Sequence, residues 1–391
     1  MINPPSLRCS TPSLRRAGDS PSFGFLSTYP PTRCGLATFS SALADGLSVH
    51  GAAINVVRVA DGSSAADPRI IGELVNDSPA SVATAAQLLS LSDVAIVQHE
   101  YGIYGGPDGD DVVKVLEGLT VPSIVVAHTV LKDPTPHQRS VLEAVAAIAD
   151  QVVVMSEAAS QRLCLGFDVD PGKVSTISHG AYVPPRQAFP VPQTNPTLLT
   201  WGLLGPGKGI ERVIDAMVPL HTLPSRPRYL VAGRTHPKVL AAQGEAYRDA
   251  RVVQARRRGV EGSVSFDAGY RDRESLTRLA QACAVVVLPY DSTDQVTSGV
   301  LVDAIAAGRP VVATAFPHAI ELLGSGAGAV VAHDDPDALA AILHTLLTKP
   351  DVADAMAAEA TRIAPSMAWP VVAGAYLEIS RALLSEHAAL V

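Results

Sequence analysis

Trp201-Gly-Leu-Leu-Gly-Pro-Gly-Lys-Gly-Ile-Glu211 is the stretch that decides how this chain is read. An apolar run, Thr197 to Thr200, precedes it and reads as a buried strand. Ile210 to Met217 follows at helical spacing. A glycine-rich turn between strand and helix brings backbone N–H groups close to a ligand. It also aims the positive end of a helix dipole at that ligand. Gly205 and Gly207 supply the turn, and Lys208 adds a full positive charge. The stretch predicts a diphosphate site, hence a phosphorylated or nucleotide-linked ligand.

The same strand–turn–helix rhythm runs outward in both directions. Phe23 to Ser27, Ile54 to Val59, Val94 to Gln98, Ser123 to Ala127, Gln151 to Met155 and Lys173 to Ile177 read as strands. Between them, Leu36, Phe39, Leu43 and Leu47 recur at helical spacing, as do Val141, Val145 and Ile148. A proline-rich segment, 184–196, interrupts the pattern and reads as a linker. The alternation then restarts at Thr197 and continues through Tyr229 to Ala232, Ser263 to Asp267, Ala284 to Leu288, Pro310 to Ala313 and Ala329 to Ala332. Strands alternating with helices form parallel sheets covered on both faces. The expectation is α/β: two doubly wound, Rossmann-like domains facing across a cleft, 22–183 and 197–365, with ligands at the carboxyl ends of the strands. Residues 366–391 read as a helix packing back on the first domain. Residues 1–21, rich in Pro, Ser and Arg, read as a disordered tail.

Composition narrows the class. The 391 residues are 47% hydrophobic but only 5% aromatic, so the cores are built from Ala, Val, Leu and Ile. A net charge of −8 argues against a general nucleic-acid binder. The four cysteines are scattered with no CxxC pair, which implies neither a zinc site nor a disulfide framework and fits a reducing cytoplasm. No apolar run reaches the ~18 residues of a membrane span. Arg15-Arg16 has no hydrophobic stretch after it, so no export signal is read.

Gly202 to Gly209 comes close to the GxxxxGK[ST] phosphate loop, but Gly209 stands where the hydroxyl residue belongs. That hydroxyl holds the magnesium of an ATPase. Its replacement leaves anion binding and removes the argument for NTP hydrolysis. A second candidate lies in Asp291-Ser-Thr-Asp-Gln-Val-Thr-Ser-Gly299, where a polar loop feeds a helix. Thr297, Ser298 and the N–H groups from Gly299 onward suit an anionic oxygen, and Asp303 suits ribose hydroxyls. The plain alternative is a helix cap followed by a solvated helix face. Asp108-Gly-Asp110 imitates a metal-binding triplet, but such triplets are common and no metal is expected there.

Together these residues resemble the donor half of retaining glycosyltransferases of the GT-B fold, family four. Gly202 to Gly209, then Gln295-x7-Asp303, then Ala307-Gly-Arg-Pro-Val-Val-Ala313 follow that family's G-R-L-x-x-x-K-G, E-x7-E and A-x-G-x-P-V-V-A. In the first half, Tyr29 to Gly35 is similar to its first loop, Ala127-His128-Thr129 to its strand-end histidine, and Ser178-His-Gly-Ala181 to its turn before the linker. The departures are Gln295 and Asp303 for two glutamates, Leu203 for an arginine, and Cys34 for the first of two glycines. Arg234 either replaces the lost cation or is a surface arginine.

The resemblance implies transfer of a hexose, with mannose from GDP-mannose the leading donor, and the acidic balance favours a hydroxyl of a soluble sugar or oligosaccharide as acceptor over a lipid. The resemblance also implies retention of configuration and no cofactor. Lys208, His128 and Gln295 are the expected catalytic set. Gly35, Gly205, Gly207, Arg234, Thr297, Ser298, Gly299 and Asp303 are expected on the donor. His99, Glu100, Tyr101 and Tyr104 follow a strand and offer aromatic and acidic groups, so they are assigned to the acceptor. The alternatives are a sugar-nucleotide epimerase of the same fold, a phosphate-loop ATPase, and a non-catalytic nucleotide-sugar-binding protein.

Overall fold

The structure is a computed structural model that describes residues 20–390 apart from Ala65, 185–194 and Tyr270. Residues 1–19 of the expected tail and most of the expected linker lie outside the described residues. The chain forms two parallel sheets. The first contains β1 (Phe23–Ser27), β2 (Ile54–Val59), β3 (Ile70–Leu74), β4 (Val94–His99), β5 (Ser123–Ala127), β6 (Gln151–Val154) and β7 (Val174–Thr176), in the order β3-β2-β1-β4-β5-β6-β7. The second contains β8 (Thr197–Trp201), β9 (Arg228–Ala232), β10 (Val264–Asp267), β11 (Val285–Leu288), β12 (Val311–Thr314) and β13 (Gly328–Val331), in the order β10-β9-β8-β11-β12-β13. The fold class is therefore as read from the sequence. One strand was not anticipated: β3 is an edge strand whose Ile70-Ile-Gly-Glu-Leu74 is only half buried, so its apolar signal is weak.

The central strands β1, β4, β5 and β11 are buried along their whole length, as continuous apolar strands covered on both faces must be. Strand order reverses between β1 and β4 and again between β8 and β11, which opens a crevice at the carboxyl end of each sheet. Several motifs singled out above leave those ends. Tyr29 to Gly35 follows β1, Glu100 follows β4, the glycine stretch follows β8, and Asp291 to Ser298 follows β11.

The final helix, Trp369–Leu390, crosses back to the first sheet. Ala181 N–H donates to Met367 O at 2.7 Å, and Trp369 N–H donates to Ala181 O at 3.3 Å. Val372, Ala373, Tyr376 and Leu377 then join the core built by Phe23, Phe39, Leu43 and Leu47. The two helices touch at Gly46, where a Cβ would stand 2.8 Å from Trp369 O.

Gly46→Ala should therefore destabilise the protein. Helix propensity alone would stabilise it by roughly 0.5–1 kcal/mol. Forcing a methyl against a backbone carbonyl in a packed interface costs about 1–3 kcal/mol. Urea unfolding decides the sign: a raised midpoint would mean that the helix pair separates without penalty.

Candidate functional site

The glycine loop ends at a position whose neighbours admit no side chain. Gly209 caps the helix Ile210–Leu220 with φ +62°, and a Cβ there would overlap Pro289 O. Only glycine fits. Leu204 N–H donates to Arg234 O at 2.8 Å, which ties the loop to the turn after β9. Arg234 itself is exposed at that rim. Within the loop, Lys208 N–H donates to Gly205 O at 3.2 Å, and Asp291 N–H donates to Gly207 O at 2.9 Å. Lys208 Nζ sits 4.3 Å from the Tyr290 ring centroid, a cation–π contact. Burial lowers the Lys208 pKa, and among the described residues no carboxylate pairs with it.

The segment after β11 crosses to the other domain. Val296 is 5% exposed and belongs to the core of the first domain. Ser156 Oγ donates to Val296 O at 2.6 Å. Flanking it, Gln295 Nε2 donates to Thr297 O at 3.0 Å, and Thr297 Oγ1 is buried with no hydrogen-bond partner among the described residues. Ser298 caps the helix Gly299–Ala306: its Oγ accepts from Leu301 N–H at 3.3 Å. The plain reading of Ser298 thus holds for its hydroxyl, which serves its own helix. Asp303 keeps a solvent-reachable carboxylate in the second turn, yet protein crowds it closely enough that burial pushes its pKa up to about 7, with Arg273 pulling the other way.

Facing this segment, His128 follows β5. Its Nε2 bonds Gln98 Oε1 at 2.6 Å, and its ring meets Phe39 edge-on at 4.7 Å. With Nε2–H donating to Gln98, Nδ1 keeps its lone pair. Phe39 also touches His179 and Trp369, so the helix opened by Gly35 is packed directly onto these histidines. Cys34 Sγ caps that helix by accepting from Ala37 N–H at 3.3 Å, the work expected of a serine there. His179 Nδ1 donates to Gly180 O at 2.7 Å, and its Nε2 lies 2.9 Å from where a Cβ on Gly299 would stand. Burial, then repulsion from His179 and His99, pulls the His128 pKa down to about 3. Burial brings His99, His179 and His318 to about 4.

The expected acceptor residues divide. Glu100 stands at the rim, its Oε2 accepting from Thr129 Oγ1 at 2.5 Å. Tyr101 packs edge-on against His99 at 5.0 Å, with its hydroxyl buried. His99 and Tyr104 are not on the cleft surface. His99 is the last residue of β4 and 1% exposed; Tyr104 is 5% exposed and donates its hydroxyl to Gln98 O at 2.6 Å. Both turn inward because the loop after β4 folds over the sheet end. Asp108 and Asp110 engage His137 at 3.0 and 3.7 Å.

Between the domains lies a cleft of about 390 Å³, lined by His128, Thr129, Lys132 and Arg162 on one side and Gln295 and Thr297 on the other. Lys132 and Arg162 escaped the sequence reading. Lys132 Nζ is 3.7 Å from Asp294, and Arg162 Nη1 donates to Asp294 O at 2.7 Å and to Val130 O at 3.0 Å. No local pattern marks either residue.

Residues 195–349 match the model of the family described as glycosyl transferases group 1. The fold is GT-B, and the match to this family is confined to the second sheet and its flanking helices. The GT-B chain is 29% identical over 264 residues to the D-inositol 3-phosphate glycosyltransferase of Kineococcus radiotolerans, covering 62% of this chain and 59% of that one. It is 26% identical over 291 residues to the protein of the same name from Streptomyces scabiei, covering 68% and 64%. The matched region is thus about three fifths of the length of these curated relatives. Its fold superimposes on a glycosyltransferase from Rickettsia africae with a TM-score of 0.74 at 14% identity, covering 93% of this chain and 98% of that one. It superimposes on Anabaena HepE, solved with UDP and glucose, with a TM-score of 0.72 at 18% identity, covering 93% and 100%.

Four desolvated histidines, two buried and two half-buried, predict an acid sensitivity for the GT-B chain. His99, His128, His179 and His318 stay neutral in the fold down to about pH 3–4, whereas the ordinary value is 6.5. As pH falls below 6.5 the unfolded chain binds protons that the native chain does not, so stability is lost. Asp303 opposes this, because the folded chain holds its proton up to about pH 7. Four groups outweigh one. Scanning calorimetry from pH 7 to pH 5 should show a falling Tm; a level or rising Tm would contradict neutral burial of these rings.

Proposed function

We propose that this chain moves a hexosyl group from a nucleotide sugar to a hydroxyl of a soluble sugar, cyclitol or oligosaccharide, with retention of configuration. The observation that carries this reading is Lys208: a half-buried cation on a glycine loop, with no carboxylate partner among the described residues. A lysine so placed awaits an anion. The diphosphate of the donor meets Lys208, the loop N–H groups and the N-terminus of the 299–306 helix. Asp303 takes the ribose hydroxyls. Gln295 and the unpartnered Thr297 hydroxyl take hydroxyls of the donor sugar. His128, neutral with its Nδ1 lone pair open, accepts a further sugar hydroxyl.

Charge grows on the leaving diphosphate as the glycosidic bond lengthens, and preorganised donors stabilise it more than they stabilise the ground state. The acceptor hydroxyl attacks from the leaving-group face, and the departing phosphate oxygen takes its proton. Lys208 and the backbone dipoles supply the positive charge, so transfer proceeds in EDTA. GDP-mannose remains the leading donor. HepE, a protein of the same fold, was solved with UDP and glucose, which places UDP sugars beside it in any screen. The names of the two relatives add an inositol phosphate to the acceptors worth testing. Lys132 and Arg162 would face its anionic group across the cleft.

A donor that binds only the native state raises stability by about 2.7 kcal/mol at ~100 times its Kd. One of GDP-mannose, UDP-glucose, UDP-GlcNAc or ADP-glucose should raise Tm at millimolar concentration. If none does, the donor site is wrongly placed.

Lys208→Ala should keep the fold and lose about 10²–10³ in turnover with the donor so identified, the usual consequence of removing one transition-state donor. The assay follows transfer to sugar and inositol phosphate acceptors with EDTA present throughout. Near-normal turnover of the folded variant would remove Lys208 from the site. Donor binding by the wild type without transfer to any acceptor would instead favour a non-catalytic binding protein.

A further inference from the structure

One short helix, Pro317–Leu323, touches both the proposed donor loop and the opposite domain. On its inner side, His318 is 3% exposed. Its Nδ1 accepts from Ser298 N–H at 2.9 Å, and its own N–H donates to Gln295 O at 3.3 Å. His318 therefore braces the 295–298 loop at both ends. Accepting at Nδ1 requires a neutral ring with its proton on Nε2. One turn further along, Glu321 reaches the other domain. Its two carboxylate oxygens accept from Glu157 N–H and Ala158 N–H, each at 3.0 Å. Those are the first N–H groups of the helix Glu157–Gly166, which have no partner within that helix. The carboxylate also meets the positive end of its dipole.

The other cross-domain bonds converge on the same loop. Ser156 Oγ, which caps the 157–166 helix, donates to Val296 O, and Arg162 of that helix donates to Asp294 O. Swinging the domains apart would break the Glu321 contact, unseat Val296 and leave His318 as the loop's remaining brace.

We propose that His318 and Glu321 are positioning residues that couple the shape of the 295–298 loop to the contact between the two domains, so that the donor site is complete only when Glu321 caps the 157–166 helix. The inference rests on the reading of this loop as the sugar end of the donor site. Neither residue is assigned to a reacting atom. Glu321 sets how long the domains stay together; His318 passes that arrangement to Gln295, Thr297 and Ser298.

The test uses the full chain and two kinds of measurement. Small-angle X-ray scattering of the ligand-free protein reads domain separation without any assumption about activity. Glu321→Ala should increase the radius of gyration, and Glu321→Gln, which keeps one acceptor oxygen but no charge, should give a smaller increase. Calorimetric titration with the nucleotide sugar that stabilises the wild type should show affinity about tenfold weaker for Glu321→Ala, the scale of a lost charged hydrogen bond. KM should rise by a similar factor while kcat is largely kept. His318→Leu should weaken donor binding without altering the scattering. His318→Asn, whose side-chain oxygen can accept near the Nδ1 position, should restore most of it and guards against a leucine variant that does not fold. Scattering of Glu321→Ala superimposable on wild type would overturn the tie between domains. Opening without loss of donor affinity, or a folded His318→Leu that binds like wild type, would overturn the coupling. Should no nucleotide sugar bind even the wild type, the donor reading fails and takes the coupling with it, while the scattering comparison still judges Glu321 alone.

Discussion

Val296 is the residue on which the cleft depends. It leaves the end of β11 in the second sheet and is buried in the core of the first. Burying a valine is worth about 1.5–3 kcal/mol, and its carbonyl, carried inside with it, takes the Ser156 hydroxyl. Its neighbours on either side, Gln295 and Thr297, then line the space between the domains. A polar side chain at 296 would have no comparable seat, and the loop would have no anchor.

The return of the 369–390 helix supplies the second constraint. It belongs by sequence to the end of the second domain, yet its apolar face completes the core around Phe39 and Leu43. Phe39 is at once a core residue, a wall for His128 and His179, and a contact of Trp369. Packing at the hinge side and the geometry of the candidate histidines are thus one problem. A shift of the last helix must be felt at His128.

The electrostatics of the site divide by depth. His318 is buried, His128 and His179 are half-buried, and desolvation favours their neutral forms, so their rings can accept as well as donate hydrogen bonds; an imidazolium could only donate. Positive charge stands at Lys208 and Arg234 about the glycine loop and at Lys132 and Arg162 at the opposite wall. Anionic groups are therefore favoured at two places, with a neutral, hydroxyl-seeking surface between them. That distribution suits a ligand with a charged leaving group and an uncharged reacting centre.

Local chemistry was legible from the residues alone. The strands at β1, β4, β5, β8 and β11 follow from continuous apolar runs, the turn at Gly202 to Gly209 from its glycines, and the helix start at Ser298 from its capping hydroxyl. Each is decided within a few residues, by periodicity, backbone freedom or a side chain bonding its own backbone. The edge strand β3 escaped because half of it faces water and its apolar signal is diluted. His99 and Tyr104 read as acceptor contacts because they follow a strand in an aromatic and acidic loop; only the folded chain shows them covered. The pairings that build the interdomain contact were beyond reach for a different reason. Ser156 with Val296, Arg162 with Asp294, and Glu321 with Glu157 and Ala158 join residues more than a hundred positions apart. No local pattern records such a meeting. The sequence by itself determined the two sheets and the glycine-rich turn after β8. Tertiary packing alone decided which domain holds Val296, which histidines stay neutral, and which carboxylate caps a helix on the far side of the cleft.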